Sequence, residues 1–156
     1  MNTLIDECWI QAEGTYLNSG QLNSVQNYIE SLPQRILIYQ ELQAQEDALL
    51  DRIMEKFKPT LPNLTRQHGH LAWDRCRRDL SMVWRYCCMA YLLNDESYLQ
   101  DKLLYWMEAI LKSFKIRDKC QLAYKLMLDS LQYVFSDQAQ GSIRPYVQLA
   151  KSMLVN

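Results

Sequence analysis

Trp73-Asp74-Arg75-Cys76-Arg77-Arg78-Asp79-Leu80 opens a segment that carries Trp73, Cys76, Leu80, Val83, Trp84, Cys87, Cys88 and Tyr91 at steps of three and four, up to the break Asn94-Asp95-Glu96-Ser97. That spacing gathers apolar side chains on one broad face of an α-helix and would scatter them over both faces of a strand, so an amphipathic helix is predicted. The same period recurs on either side. Upstream, Asn18-Ser19-Gly20-Gln21 reads as a helix start, with Asn18 as N-cap and Gln21 at the third helical position, ahead of Leu22, Val25, Tyr28, Ile29 and Leu32. A short helix is expected before it. From Ile36, the set Leu42, Leu49, Leu50, Ile53, Met54 and Phe57 predicts one long helix that stops at Lys58-Pro59-Thr60-Leu61-Pro62-Asn63. From Pro59 to about His70, two prolines, a glycine and the loss of period predict an irregular loop, the longest in the chain. Downstream, a helix is expected from about Tyr98 to Phe114. Asp118 and Gln121 resemble a capping box for a helix reaching about Phe135, and Ser136 to Ser142 separates it from a terminal helix ending in Met153-Leu154.

Composition points the same way. Gly and Pro number four each, whereas Leu, Gln, Met, Lys and Tyr abound, a balance that favours an all-α chain over strands and tight turns. The 156 residues suit one domain, 1–156, with a core that needs no disulfide or metal. Six to eight helices with one larger mid-chain loop fit globin-like packing better than a bundle of equal helices. The charges nearly cancel, 17 Lys plus Arg against 18 Asp plus Glu, which argues against a nucleic-acid partner or an anionic membrane surface. No apolar run reaches the ~20 residues that span a bilayer, and Met1 to Glu7 has no basic-then-hydrophobic leader, so neither a transmembrane segment nor secretion is expected. Cys8, Cys76, Cys87, Cys88 and Cys120 form an odd set without CxxC spacing, which argues for a reducing compartment and against a disulfide framework or structural zinc.

The opening octet brings one thiol, three guanidiniums and two carboxylates to a helix start beside the long loop. Cys76 and Asp79 lie one turn apart and share a face, while Arg75 sits one turn from Arg78 on an adjacent strip. An open-chain tetrapyrrole offers pyrrole N–H donors to a carboxylate, two propionates to arginines and an electrophilic side group to a thiol. The neighbouring arginines are expected to favour the Cys76 thiolate. The same residues also suit ordinary surface chemistry: Arg75 and Asp79 as an i,i+4 ion pair worth ~0.2–0.5 kcal/mol, and Cys76 as a small apolar residue on a buried stripe.

Cys76-Arg77-Arg78-Asp79-Leu80 resembles the Cys-x-Arg-Asp bilin-attachment motif of the phycobiliproteins, the allophycocyanin and phycocyanin subunits of cyanobacterial and red-algal light-harvesting antennae. The likeness continues in register through Arg85-Tyr86, Ala90 and Asp95. Upstream, Ala12-Glu13-Gly14-Thr15-Tyr16-Leu17-Asn18-Ser19-Gly20-Gln21-Leu22 looks like the family's Ala-Glu-x-x-Tyr-Leu-Ser-x-Gly-Glu-Leu, and Gln34-Arg35-Ile36 resembles its Arg-Arg-Leu stretch. The resemblance implies a globin-like phycobiliprotein fold with an N-terminal helical pair used for subunit pairing. It also implies a phycocyanobilin-like linear tetrapyrrole in thioether linkage to Cys76, with its central nitrogens on Asp79 and its propionates on Arg78 and Arg75. Trp73, beside this group, completes the expected binding residues. The implied partners are another phycobiliprotein-like subunit or a second copy, together with phycobilisome or photosystem components. The implied place is the cytoplasm, at the cytoplasmic face of the thylakoid membrane.

Departures from the pattern support an alternative: a non-antenna relative that acts as an assembly or regulatory interaction protein for photosynthetic complexes, with or without a bilin. Met82-Val83 stands where antenna subunits carry a Tyr-Tyr pair, and Gln11 replaces an interface aspartate whose arginine partner is retained as Arg85. Other chemistries find less support. His68 and His70 raise haem or a metal, but two histidines at i,i+2 in a polar loop are usually solvated. Cys87-Cys88 reads as core filling. Glu46-Asp47 and Asp95-Glu96 form no acid/base dyad, and the chain has neither a phosphate-binding loop nor GxSxG, so no enzyme is expected. Tyr and Trp at helical spacing read as core or interface anchors, not as base-stacking platforms.

Overall fold

A computed structural model describes residues 2–114 and 117–155. Among them the chain is helical with no strand: α1 (Thr3–Gln11), α2 (Ser19–Ala44), α3 (Glu46–Phe57), α4 (Leu64–His68), α5 (Ala72–Leu93), α6 (Glu96–Leu99), α7 (Tyr105–Phe114), α8 (Arg117–Val134) and α9 (Asp137–Val155). The expected capping box opens α2: Asn18 Oδ1 accepts from the Gln21 N–H, and Gln21 Oε1 accepts from the Asn18 N–H, both at 2.9 Å. Both ends of α5 fall within a residue or two of the expected helix. Asn94, in left-handed conformation, closes it.

The structure corrects five expectations. The long helix expected from Ile36 to Phe57 is two, because the backbone bends at Gln45, with φ −102° and ψ 8°; no proline or glycine marks the place. The loop from Pro59 to His70 contains a 3₁₀ turn over 58–60 and the short α4, which ends at Gly69 with φ +90°. The helix expected from Tyr98 is broken by a wider π turn over 100–104, which turns the adjacent Leu103 and Leu104 both inward. The separator expected from Ser136 to Ser142 shrinks, since α9 already starts at Asp137 and carries Gly141 within it. Asp118 lies inside the first turn of α8, not before it.

The core lies between α3, α5, α8 and α9, with Trp84 fully buried and stacked on Phe135 at 5.3 Å. Cys87 and Cys88 are both buried in it, as core filling requires. Two sets of polar contacts orient α5. Along one edge, Arg77 pairs with Asp51 at 2.7 Å and Asp47 at 3.1 Å, and Arg85 pairs with Glu46 at 3.0 Å, so residues two turns apart on α5 grip α3. At its C-terminal end, the buried Asp95 accepts from the Thr3 N–H at 2.8 Å and the Thr3 hydroxyl at 2.7 Å, while the Asn2 side chain donates to the Leu93 and Asn94 carbonyls. Those bonds hold α1 to the α5–α6 corner. Beyond it, α1 and the first half of α2 show Trp9, Ile10, Leu22 and Ile29 to solvent, with Trp9 78% exposed.

Candidate functional site

With Arg77 turned toward α3, the adjacent face of α5's first turns looks the other way, across an apolar cavity of about 240 Å³. From α5, Ala72, Arg75, Cys76, Asp79 and Leu80 line it. Phe57 at the end of α3, Leu61, and Leu64 and His68 of α4 form a second side, so the 3₁₀ turn and the Gly69 reversal bring this wall against α5. Met107 and Leu111 of α7, then Lys119, Cys120, Ala123 and Tyr124 of α8, close the third. The space is below the ~300–1,000 Å³ of pockets that engulf a small molecule, and it is open to solvent, which suits an elongated ligand held along part of its surface.

Of the five site residues expected from sequence, Cys76, Asp79 and Arg75 meet at this cavity. Arg78 and Trp73 do not line it. Arg78 is exposed and acts on Asp79 through its charge. Trp73 packs edge-on against Phe57 at 5.8 Å, behind the cavity wall. The i,i+4 ion pair that ordinary surface chemistry would give Arg75 and Asp79 is not formed among the described residues. His68, expected to be solvated, is exposed and also reaches the rim; no group of three or more His, Cys, Asp or Glu among the described residues could hold a metal ion. Met82 and Val83 pack on the core away from the cavity.

The electrostatics overturn the expected Cys76 thiolate. Burial, then the Asp79 carboxylate and the Cys120 thiol, push the Cys76 pKa up to about 11. No arginine offsets this: Arg77 is committed to two aspartates on α3, Arg78 stands off the cavity, and Arg75, although it lines the cavity, does not lower the Cys76 value. Asp79 is also raised from its ordinary value, by desolvation that Arg78 opposes. Cys120 reaches about 11 through burial and Asp79. At neutral pH the cavity therefore holds two protonated thiols beside one carboxylate whose charge would be favoured by an N–H donor. Sequence reasoning missed Lys119, Cys120 and Tyr124. Nothing local marks them, since only the packing of α8 brings them to α5.

The family model described as "Phycobilisome protein" matches residues 9–154 of the chain. The chain belongs to the phycobilisome protein family. The all-helical architecture is the globin-like fold of that family. The C-phycocyanin-3 beta subunit of Microchaete diplosiphon is 26% identical to this phycobilisome protein over 97 residues. The match takes in 60% of the chain, and the chain spans only 56% of that relative's length. No helix among the described residues of this phycobilisome protein is long and apolar enough to cross a membrane.

Proposed function

We propose that the chain is a bilin-binding phycobiliprotein-like protein of the phycobilisome, one domain over residues 1–156, with a linear tetrapyrrole in thioether linkage to Cys76. The observation that carries this reading is the meeting of Cys76, Asp79 and Arg75 on one apolar cavity. The donor set fits the group. Cys76 Sγ would carry the bond, Asp79 would accept from ring N–H groups, and Arg75, which has no ion pair among the described residues, is free for a propionate. The exposed Arg78 fits a second propionate outside the cavity, and Trp73 supports the wall through Phe57. A bound bilin would supply a conjugated system that absorbs visible light. On this reading the protein is a pigment carrier in light harvesting and not an enzyme. Its place is the cytoplasmic face of the thylakoid membrane, and its partners are phycobiliprotein-like subunits or a second copy.

Co-expression with bilin-synthesis enzymes and a suitable lyase, then denaturing electrophoresis with zinc fluorescence, tests this. A band in the wild type that vanishes in Cys76→Ala is expected. A colourless wild type would refute chromophore carriage.

One observation favours the second reading, an assembly or regulatory role on photosynthetic complexes. Arg85, which the resemblance assigns to pairing with a partner's aspartate, is held by Glu46 of its own chain, and Gln11 accepts from Gln21 at 3.2 Å. Both halves of that intersubunit ion pair are thus engaged internally or replaced. A protein that remains monomeric at every concentration, and does not join antenna subunits, would favour this role over the antenna.

A further inference from the structure

The turn after α1 builds a second concavity, which shares no lining residue with the Cys76 cavity. Gly14, with φ +72°, reverses the chain, and the Thr15 N–H and hydroxyl both donate to the Ala12 carbonyl, so the segment folds back on the end of α1. The result is an open groove of about 490 Å³ whose walls include Trp9, Ile10, Glu13, Tyr16 and Leu17. Trp9, Ile10 and Tyr16 are 78%, 68% and 98% exposed, and Leu22 and Ile29 of α2 are also open to solvent. Large apolar side chains left so bare mark a surface that a partner covers. Charge decides which partner. Glu7, Glu13 and Glu30 are exposed and make no ion pair among the described residues. The only cationic side chain up to Gln45 is Arg35, which is buried and donates to the Tyr28 and Leu92 carbonyls. Within the groove, Glu13 supplies a carboxylate, the carbonyl end of α1 has no basic residue in its last turn, and the rings of Trp9 and Tyr16 attract cations through their π faces. Three sources of negative potential thus meet on one apolar groove. A two-fold pair with a second copy would set these carboxylates against their own equivalents, a like-charge contact that disfavours self-association.

We propose that the groove of Trp9, Glu13 and Tyr16 docks a basic, amphipathic segment of a partner protein, with a Lys or Arg side chain seated against the two rings and neighbouring apolar residues on the α1–α2 face. The docking does not depend on a bilin at Cys76. The probe is a designed amphipathic helical peptide of Leu and Lys, titrated calorimetrically into the full chain beside its Leu and Glu counterpart. The Leu–Lys peptide should bind and shift the amide resonances of residues 9–17, and the Leu–Glu peptide should not bind. Trp9→Ala should weaken the complex about thirtyfold, as loss of an interface anchor does, and Glu13→Gln roughly two- to fivefold. Added salt should weaken the wild-type complex more than the Glu13→Gln complex. Both side chains are exposed, so circular dichroism should show both variants as folded as the wild type. Equal binding of the two peptides, affinities that neither substitution moves, or no binding at all would overturn the assignment. A homodimer that Trp9→Ala dissociates would also overturn it, by giving the face to a second copy. None of these outcomes bears on attachment at Cys76, and a colourless chain that still takes the Leu–Lys peptide through Trp9 would uphold the docking site while removing the bilin.

Discussion

Cys76 and Cys120 stand on different helices, face one cavity and share a pKa of about 11, so thiolate character does not select one over the other. On the proposed bilin reading, selection would have to come from where the ligand is held, which would give Asp79 and Arg75 a positioning part in attachment. A thiol of that pKa is deprotonated only about once in a thousand molecules at pH 8. Site-resolved alkylation of Cys76 with iodoacetamide should therefore quicken about tenfold per pH unit up to pH 10. A plateau at pH 8 to 9 would contradict the buried site described. The spacing Cys76–Asp79 made the shared face legible in the sequence, because one helical turn dictates it. The protonation state was not legible, because it depends on burial under α7 and α8 and on the aspartates of α3 that occupy Arg77.

Among the elements, α5 is legible in the sequence nearly to the residue, since its apolar period is unbroken and Asn94 supplies the left-handed stop. The bend at Gln45 and the π turn at 100–104 carry no proline or glycine to mark them in the sequence. The attachment of α1 was equally hidden, because Thr3 and Asp95 are far apart in the chain. Burial works to raise the Asp95 carboxyl, but the hydrogen bonds from Thr3, Tyr98 and Ser97 outweigh it, and its pKa is lowered. A depressed carboxylate stabilises the fold above its unfolded pKa, about 3.9, and that stabilisation is lost as pH falls through the folded value. Below about pH 4 the amides of α1 should exchange with solvent faster than those of α5. Asp95→Asn should show the same loosening at neutral pH and cost roughly 1–3 kcal/mol in denaturant unfolding. Unchanged exchange in residues 3–11 of the variant would show that Asp95 does not hold α1.

For the whole molecule, the raised pKa values of Cys76, Cys87, Cys120 and Tyr146, at about 11 to 12, make a common prediction. A folded pKa above the unfolded one gives stability that is complete below the unfolded pKa and is lost as pH rises through the folded one. Thermal midpoints should fall steadily between about pH 9 and 12, and Cys87→Ala, which also loses little volume, should flatten that slope; an unaltered slope would count against burial as the cause. The helix inventory and the globin-like class were legible from length, period and turn residues. The cavity was only half legible, because one wall is written in the octet at Trp73 to Leu80 and the others are assembled from α3, α4, α7 and α8 by the fold.

Peptide mapping by mass spectrometry of the wild-type protein, purified from cells that make bilin and supply a lyase, tests the central claim most directly. The account predicts one bilin adduct, on the peptide that contains Cys76, with Cys120 unmodified. An adduct on Cys120, or none at all, would contradict it.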